Sequence, residues 1–148
     1  MKLLRSTLLL VSLAVLLVPS LSAADRASVQ AILLTASNEQ GESDRRLSAY
    51  EPTLRRILRF QSYRFVGQGS ASVAVPGSGD VSLGRGHHLE VEAERSDGRS
   101  LHVKVRWIGE GRTFMNTGLV LRPGVPAVLG GPSTGREDEV YAVIVIGR

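Results

Sequence analysis

The stretch LEVEAERSDGRSLHVKVRWIGEGRTFMNTGLVL, residues 89–121, decides the fold. Leu89, Val91 and Ala93 alternate with Glu90, Glu92 and Glu94, and Leu101, Val103 and Val105 alternate with His102, Lys104 and Arg106. A period of two puts one set on a buried face and the other in water, the pattern of an antiparallel sheet covered on one side. Ser96-Asp97-Gly98 and Gly109-Glu110-Gly111 break the stretch into three strands. Read as three-residue loops ending on a left-handed glycine, they set Ala93 opposite Leu101, Val91 opposite Val103 and Leu89 opposite Val105. The second loop sets Val105 opposite Met115, Val103 opposite Thr117 and Leu101 opposite Leu119. On the polar face Glu92 then meets His102, Glu90 meets Lys104 and Glu94 meets Ser100, each pair worth ~0.2–1 kcal/mol. A slip of one residue would drive Val91 against Lys104, so the register is expected to be strongly specified.

Working outward, residues 63–66, 70–75 and 81–83 read as strands separated by Gly67-Gln68-Gly69 and Pro76-Gly77-Ser78-Gly79-Asp80. Downstream, residues 127–129 form a short strand and VYAVIVI, residues 140–146, a longer one. VYAVIVI is apolar on both faces, as is VQAILLTA at residues 29–36, so the two are expected side by side in the middle of a sheet. Residues 37–46 are polar and form a loop. Leu47, Tyr50, Leu54, Ile57 and Leu58 recur at helical spacing with Arg55, Arg56 and Arg59 on the other side. Ser48 and Glu51 are spaced as a capping box, but Pro52 would then fall where its missing N–H removes a bond; Pro52 as first residue predicts a helix over 52–59. The fold class expected is mainly β, an antiparallel β-sandwich or curved sheet with one short amphipathic helix.

Residues 1–23 have the layout of a secretory signal: Lys2 and Arg5, an apolar run over residues 8–18, the breaker Pro19, and small residues before Asp25. The run is far short of the ~20 residues of a membrane span. Cleavage after Ala23 or one residue later leaves residues 24–148 as a single exported domain with no membrane span. Of the 18 basic residues, Lys2 and Arg5 leave with the signal, so 16 face 14 acids and the net charge of +4 falls to +2. That is no argument for nucleic acid. The absence of cysteine excludes disulfides, thiol catalysis, cysteine-ligated metals and a lipoprotein anchor. The location expected is periplasmic or extracellular.

Candidate chemistry is sparse. In the register above His88 and His102 share the polar face with Glu92, which sketches a metal site; the competing reading is a solvated face of charge pairs, with Arg106 opposite His88. His87 falls on the apolar face near Trp107, as a satisfied, partly buried side chain rather than a ligand. Arg55, Arg56 and Arg59, with Arg45, Arg46 and Arg64, sketch a basic patch for an anionic lipid, a polysaccharide or an acidic partner, against an ordinary solvated helix face. No G-x-S-x-G nucleophile elbow is expected, the chain has no S-x-x-K, no H-E-x-x-H, no G-x-G-x-x-G and no phosphate loop, and alternating glutamates such as Glu90 and Glu92 are usual on exposed strands. Catalysis is not expected, and no cofactor is implied.

Residues 119–131 end on Val128-Leu129-Gly130-Gly131 after the turn at Pro123-Gly124. A strand, a Pro-Gly turn and V-L-G-G resemble a segment of the secretin channels of bacterial secretion and pilus systems. The resemblance covers about a tenth of the chain, and Pro132 stands where those channels usually carry leucine. A secretin is much longer, so no gated ring is implied; the resemblance suggests an envelope or secretion setting. The function expected is a non-catalytic β-rich module acting through a protein partner in the cell envelope, the alternative being a ligand- or metal-binding module using the His88, His102 and Glu92 face.

Overall fold

The computed structural model describes residues 25–148, so the signal assigned to residues 1–23 lies outside the described residues. Two four-stranded antiparallel sheets pack face to face. The first has the order β2 (Ser62–Ala74), β1 (Arg26–Ser37), β8 (Glu139–Gly147), β7 (Ala127–Ser133). The second is a meander of β3 (Gly77–Gly84), β4 (His87–Asp97), β5 (Ser100–Gly109) and β6 (Arg112–Leu121). A 3-10 turn at Arg45–Leu47 and helix α1 (Glu51–Leu58) complete the chain. This is the expected antiparallel β-sandwich with one short helix. None of the described helices is long and apolar enough to cross a membrane.

The two doubly apolar segments pair as neighbours, β1 with β8, from Val29 opposite Gly147 to Ser37 opposite Glu139. Their inner residues, Val29, Ala31, Leu33, Val143 and Val145, meet Val91, Val103, Val105 and Trp107 of the second sheet in the main core. Their outer residues, Ile32, Leu34, Ala36, Ala142, Ile144 and Ile146, form a second core with Leu47, Leu54 and Tyr63. The helix segment therefore roofs the outer face of the first sheet. Pro52 lies in the first turn of α1, which has no side-chain cap, so the capping box is unused. The expected helix ends one residue late: Arg59 caps α1 with φ 55°, in the left-handed region. Ile57, placed on the apolar stripe by its spacing, is 48 % exposed, because so short a helix brings only part of its stripe onto the sheet.

The meander keeps the predicted faces but not the predicted partners. Ala93 faces Val103, Val91 faces Val105 and Leu89 faces Trp107, two residues along from the expected pairing. In the next hairpin Leu101 faces Leu121 and Trp107 faces Met115, again two along. The loops are tighter than expected, Gly98-Arg99 between Asp97 and Ser100, and Glu110-Gly111 between Gly109 and Arg112. Glu110 and Gly111 both have positive φ, 53° and 71°, the signature of a type I′ turn. A bulge between Ala93 and Arg95 absorbs the remaining residue.

Two further expectations are corrected. Gly67-Gln68-Gly69 is no break: β2 runs through it as one strand. Likewise β3 begins at Gly77, inside the stretch expected to be a loop. These glycines mark crowding. A Cβ on Gly67 would overlap the Leu83 carbonyl, and one on Gly69 the Ser82 carbonyl, because the β3 backbone passes close over β2 there.

Candidate interaction surface

The outer face of the second sheet carries the polar residues of the meander. Its cross-strand rows run Asp80, Glu90, Arg106, Asn116 and Ser78, Glu92, Lys104, Gly118. Arg106 pairs with Glu90, and Lys104 lies 3.4 Å from Glu94. The changed register separates the sketched metal ligands. His88 lies between Ser82 and Ile108, Glu92 between Ser78 and Lys104, and His102 between Arg95 and Val120. His102 has a neighbour at each nitrogen, the Asp97 carboxylate 2.9 Å from Nε2 and the Arg95 guanidinium 3.3 Å from Nδ1. The tautomer that satisfies both donates from Nε2 and accepts at Nδ1. No three of the described His, Asp and Glu residues are grouped as a metal would need.

Nor do the helix arginines converge. Arg55 is held by Glu51 one turn back at 2.7 Å and lies over the Tyr63 ring. Arg46 is held by Asp44 at 2.7 Å and stacks on Phe65, and that guanidinium holds the Asp44 carboxyl down at about 2. Arg56 and Arg59 make no ion pair among the described residues.

His87 sits where its position on the apolar face placed it, 2 % exposed. The Trp107 indole N–H donates to its Nδ1 at 3.1 Å, and Tyr141 and Phe114 pack on the ring with centroids 4.7 and 5.6 Å away. Burial holds its pKa below the usual histidine value, against a smaller opposing pull from Glu110. With Nδ1 accepting, the ring proton of the neutral form sits on Nε2.

One catalytic pattern escapes the motif reading and is disposed of by its setting. Gly131-Pro132-Ser133-Thr134-Gly135 matches G-x-S-x-G. A nucleophile elbow needs a strand-to-helix turn, whereas this segment ends β7 and turns into β8. The Ser133 hydroxyl accepts from the Gly135 N–H at 3.2 Å, and no histidine bonds to it among the described residues. Gly131 is a glycine for packing, since a Cβ would overlap the Trp107 ring. The second glycine of the V-L-G-G segment thus has a local reason in this fold.

The feature that sequence reasoning missed is the free edge of β6. At the opposite side of the sandwich β2 and β3 pack closely on one another, without a backbone ladder between them among the described residues. Edge strand β7 is short, carries Pro132 and loses register between Gly130 and Ser133, which blunts it. β6 carries no proline, and its one loss of register, at Phe114, lies near its start; from Met115 to Leu121 it pairs with β5 without interruption. Its ladder runs only to β5, and no backbone hydrogen bond outside that ladder involves its residues among those described. From Thr113 to Leu121 it carries no charge and no proline. Met115, Thr117 and Leu119 point inward yet are only half-buried, while Val120 and nearby Val125 are 56 % and 54 % exposed. The signal was present as an uncharged run between Arg112 and Arg122, but its edge position was not.

Compared with protein-family models, curated proteins and solved structures, the chain matches none. Its function therefore has to be argued from this geometry.

Proposed function

We propose that this chain is an exported, non-catalytic β-sandwich module that works by binding another protein of the cell envelope. The observation that carries the reading is the open β6 edge. Natural sheets blunt or cover such edges because unpaired N–H and C=O groups recruit other strands; the uncharged, uninterrupted stretch from Met115 to Leu121 is a liability unless it is used. The signal layout of residues 1–23 supports export. The charged groups of the outer face and the helix are largely committed to each other, which supports a role outside catalysis.

The test is capture from envelope extract by the mature protein and by Val120→Lys, which places a charge on the exposed edge without touching the core. Specific cross-linked partners that fall at least tenfold in yield with Val120→Lys are the expected result. Hydrolytic turnover by the purified protein, abolished by Ser133→Ala, would overturn it.

A further inference from the structure

We propose that β6 takes an extended segment of the partner as an added strand, and that this segment is uncharged along its middle and acidic at both ends. The inference rests on the interaction reading above and names the chemistry of what binds. Among the described residues the uninterrupted stretch of β6 after its bulge at Phe114, Met115 to Leu121, is the edge neither packed against another strand nor broken, as β2 and β3 meet at Gly67 and Gly69 and β7 carries Pro132 and loses register. Strand addition satisfies its free N–H and C=O groups, and alternate side chains of the incoming strand set specificity.

Gly118 is the second observation. Most glycines in these strands are demanded by the fold, either by positive φ, as at Gly84, or by crowding, as at Gly67, Gly69, Gly109 and Gly131. Gly118 has neither reason: its φ is not left-handed, and a Cβ there would meet nothing closer than the Val103 carbonyl oxygen at 3.9 Å. A glycine in mid-strand weakens the strand and often marks the close approach of another backbone. A recess of about 400 Å³ opens over it, lined by Glu94, His102, Lys104, Asn116 and Val120. Its apolar wall is the exposed Val120, which offers contact to one side chain of an incoming strand.

Charge chooses the occupant. Arg112 and Arg122 bracket the uncharged run, both exposed and both without an ion pair among the described residues. A second copy paired antiparallel over the full length would set Arg112 against Arg122 at both ends. Paired in parallel, each arginine would meet its own equivalent. Like charges directly opposite are destabilising, whereas acids at the ends of the incoming segment would pair with both arginines. The occupant is thus a foreign strand with acidic ends, not a second copy.

The experiment uses the mature protein and three fluorescent decapeptides: an alternating Thr/Val core with acidic ends, the same core with lysine ends, and the acidic peptide with proline at its centre. Anisotropy is expected to show the acidic peptide binding about fivefold tighter than the lysine one, from two charge pairs, and no binding of the proline peptide. Arg112→Glu/Arg122→Glu, two exposed changes whose fold is checked by circular dichroism, should reverse the preference. Hydrogen exchange should slow at β6 amides when the acidic peptide is present. Equal affinity for acidic and lysine ends, with β6 protected by both, overturns the charge assignment while leaving the interaction module standing. Protection elsewhere, or no binding by any peptide, overturns strand addition; the interaction module then falls only if envelope capture also survives Val120→Lys. A concentration-dependent dimer that Val120→Lys dissolves assigns the edge to a second copy and overturns the proposal.

Discussion

The two sheets of the sandwich solve the same burial problem differently. β1 and β8 are buried on both faces, between the second sheet and the helix segment, whereas β4 and β5 are buried on one face and wet on the other. The first sheet has no surface left at its centre and serves as the scaffold. The second keeps a charged face and an open edge, and can meet a partner without unpacking anything. Stability thus rests chiefly on the first sheet, and recognition, on the function proposed above, falls to the second.

The contrast is tested most strongly by truncation. Leu34, fully buried under the helix segment, should cost about 3 kcal/mol as Leu34→Ala, while Glu92→Ala on the wet face should stay within about 0.5 kcal/mol, both read from denaturant midpoints. Comparable costs would remove the division between scaffold and surface. Next in size are the glycines at opposite edges. Gly67→Ala should destabilise by about 2 kcal/mol, because its Cβ meets backbone that cannot swing aside. Gly118→Ala should stabilise by about 0.5 kcal/mol, since the position has room and the unfolded chain loses freedom. A loss of stability at Gly118 would mean that the fold itself requires this glycine.

Acid should act on the seam between the sheets through His87. Its folded pKa is depressed, so below the ordinary value of 6.5 the unfolded chain takes up a proton that the folded chain does not. The stabilisation is complete above that value and is lost as pH falls toward the folded pKa, with a slope on the order of 1 kcal/mol per pH unit. His87→Phe should flatten that dependence between pH 6.5 and 5, measured by chemical denaturation at each pH; an unchanged slope would place the acid sensitivity elsewhere. The smallest effect is expected on the wet face. His102→Ala gives up exposed contacts with Asp97 and Arg95 and should cost less than about 1 kcal/mol, less still at high salt. Excess zinc should leave the Tm of both proteins unchanged; a zinc-dependent rise in the wild type that His102→Ala removes would restore metal binding to this sheet.

The residues show which inferences a linear sequence supports. Alternation in 89–121 fixed which side chains of the meander face the core, but not their partners, because a shift of two leaves every side chain on its own face. The binary pattern is blind to that shift, and the decision passed to Glu110-Gly111, a type I′ turn without the usual Asn or Asp, and to the bulge before Arg95. The metal sketch depended on those partners and separated with them, whereas His87 depended only on its face and stayed where it was placed. Gly67-Gln68-Gly69 looked like a turn because glycine has two uses, conformational freedom and lack of bulk, and sequence alone does not say which applies.

By itself the sequence determined the class of fold, the helix anchored by Pro52, the central place of the two doubly apolar strands and the wet face of the meander. Each follows from local periodicity or local backbone chemistry. Only the tertiary structure decided that β2 and β3 close one side of the sandwich, that the helix segment roofs the first sheet, and that β6 is left open on the other side. Whether a strand is central or an edge depends on which strands lie beside it, and that is a property of the assembled sheets.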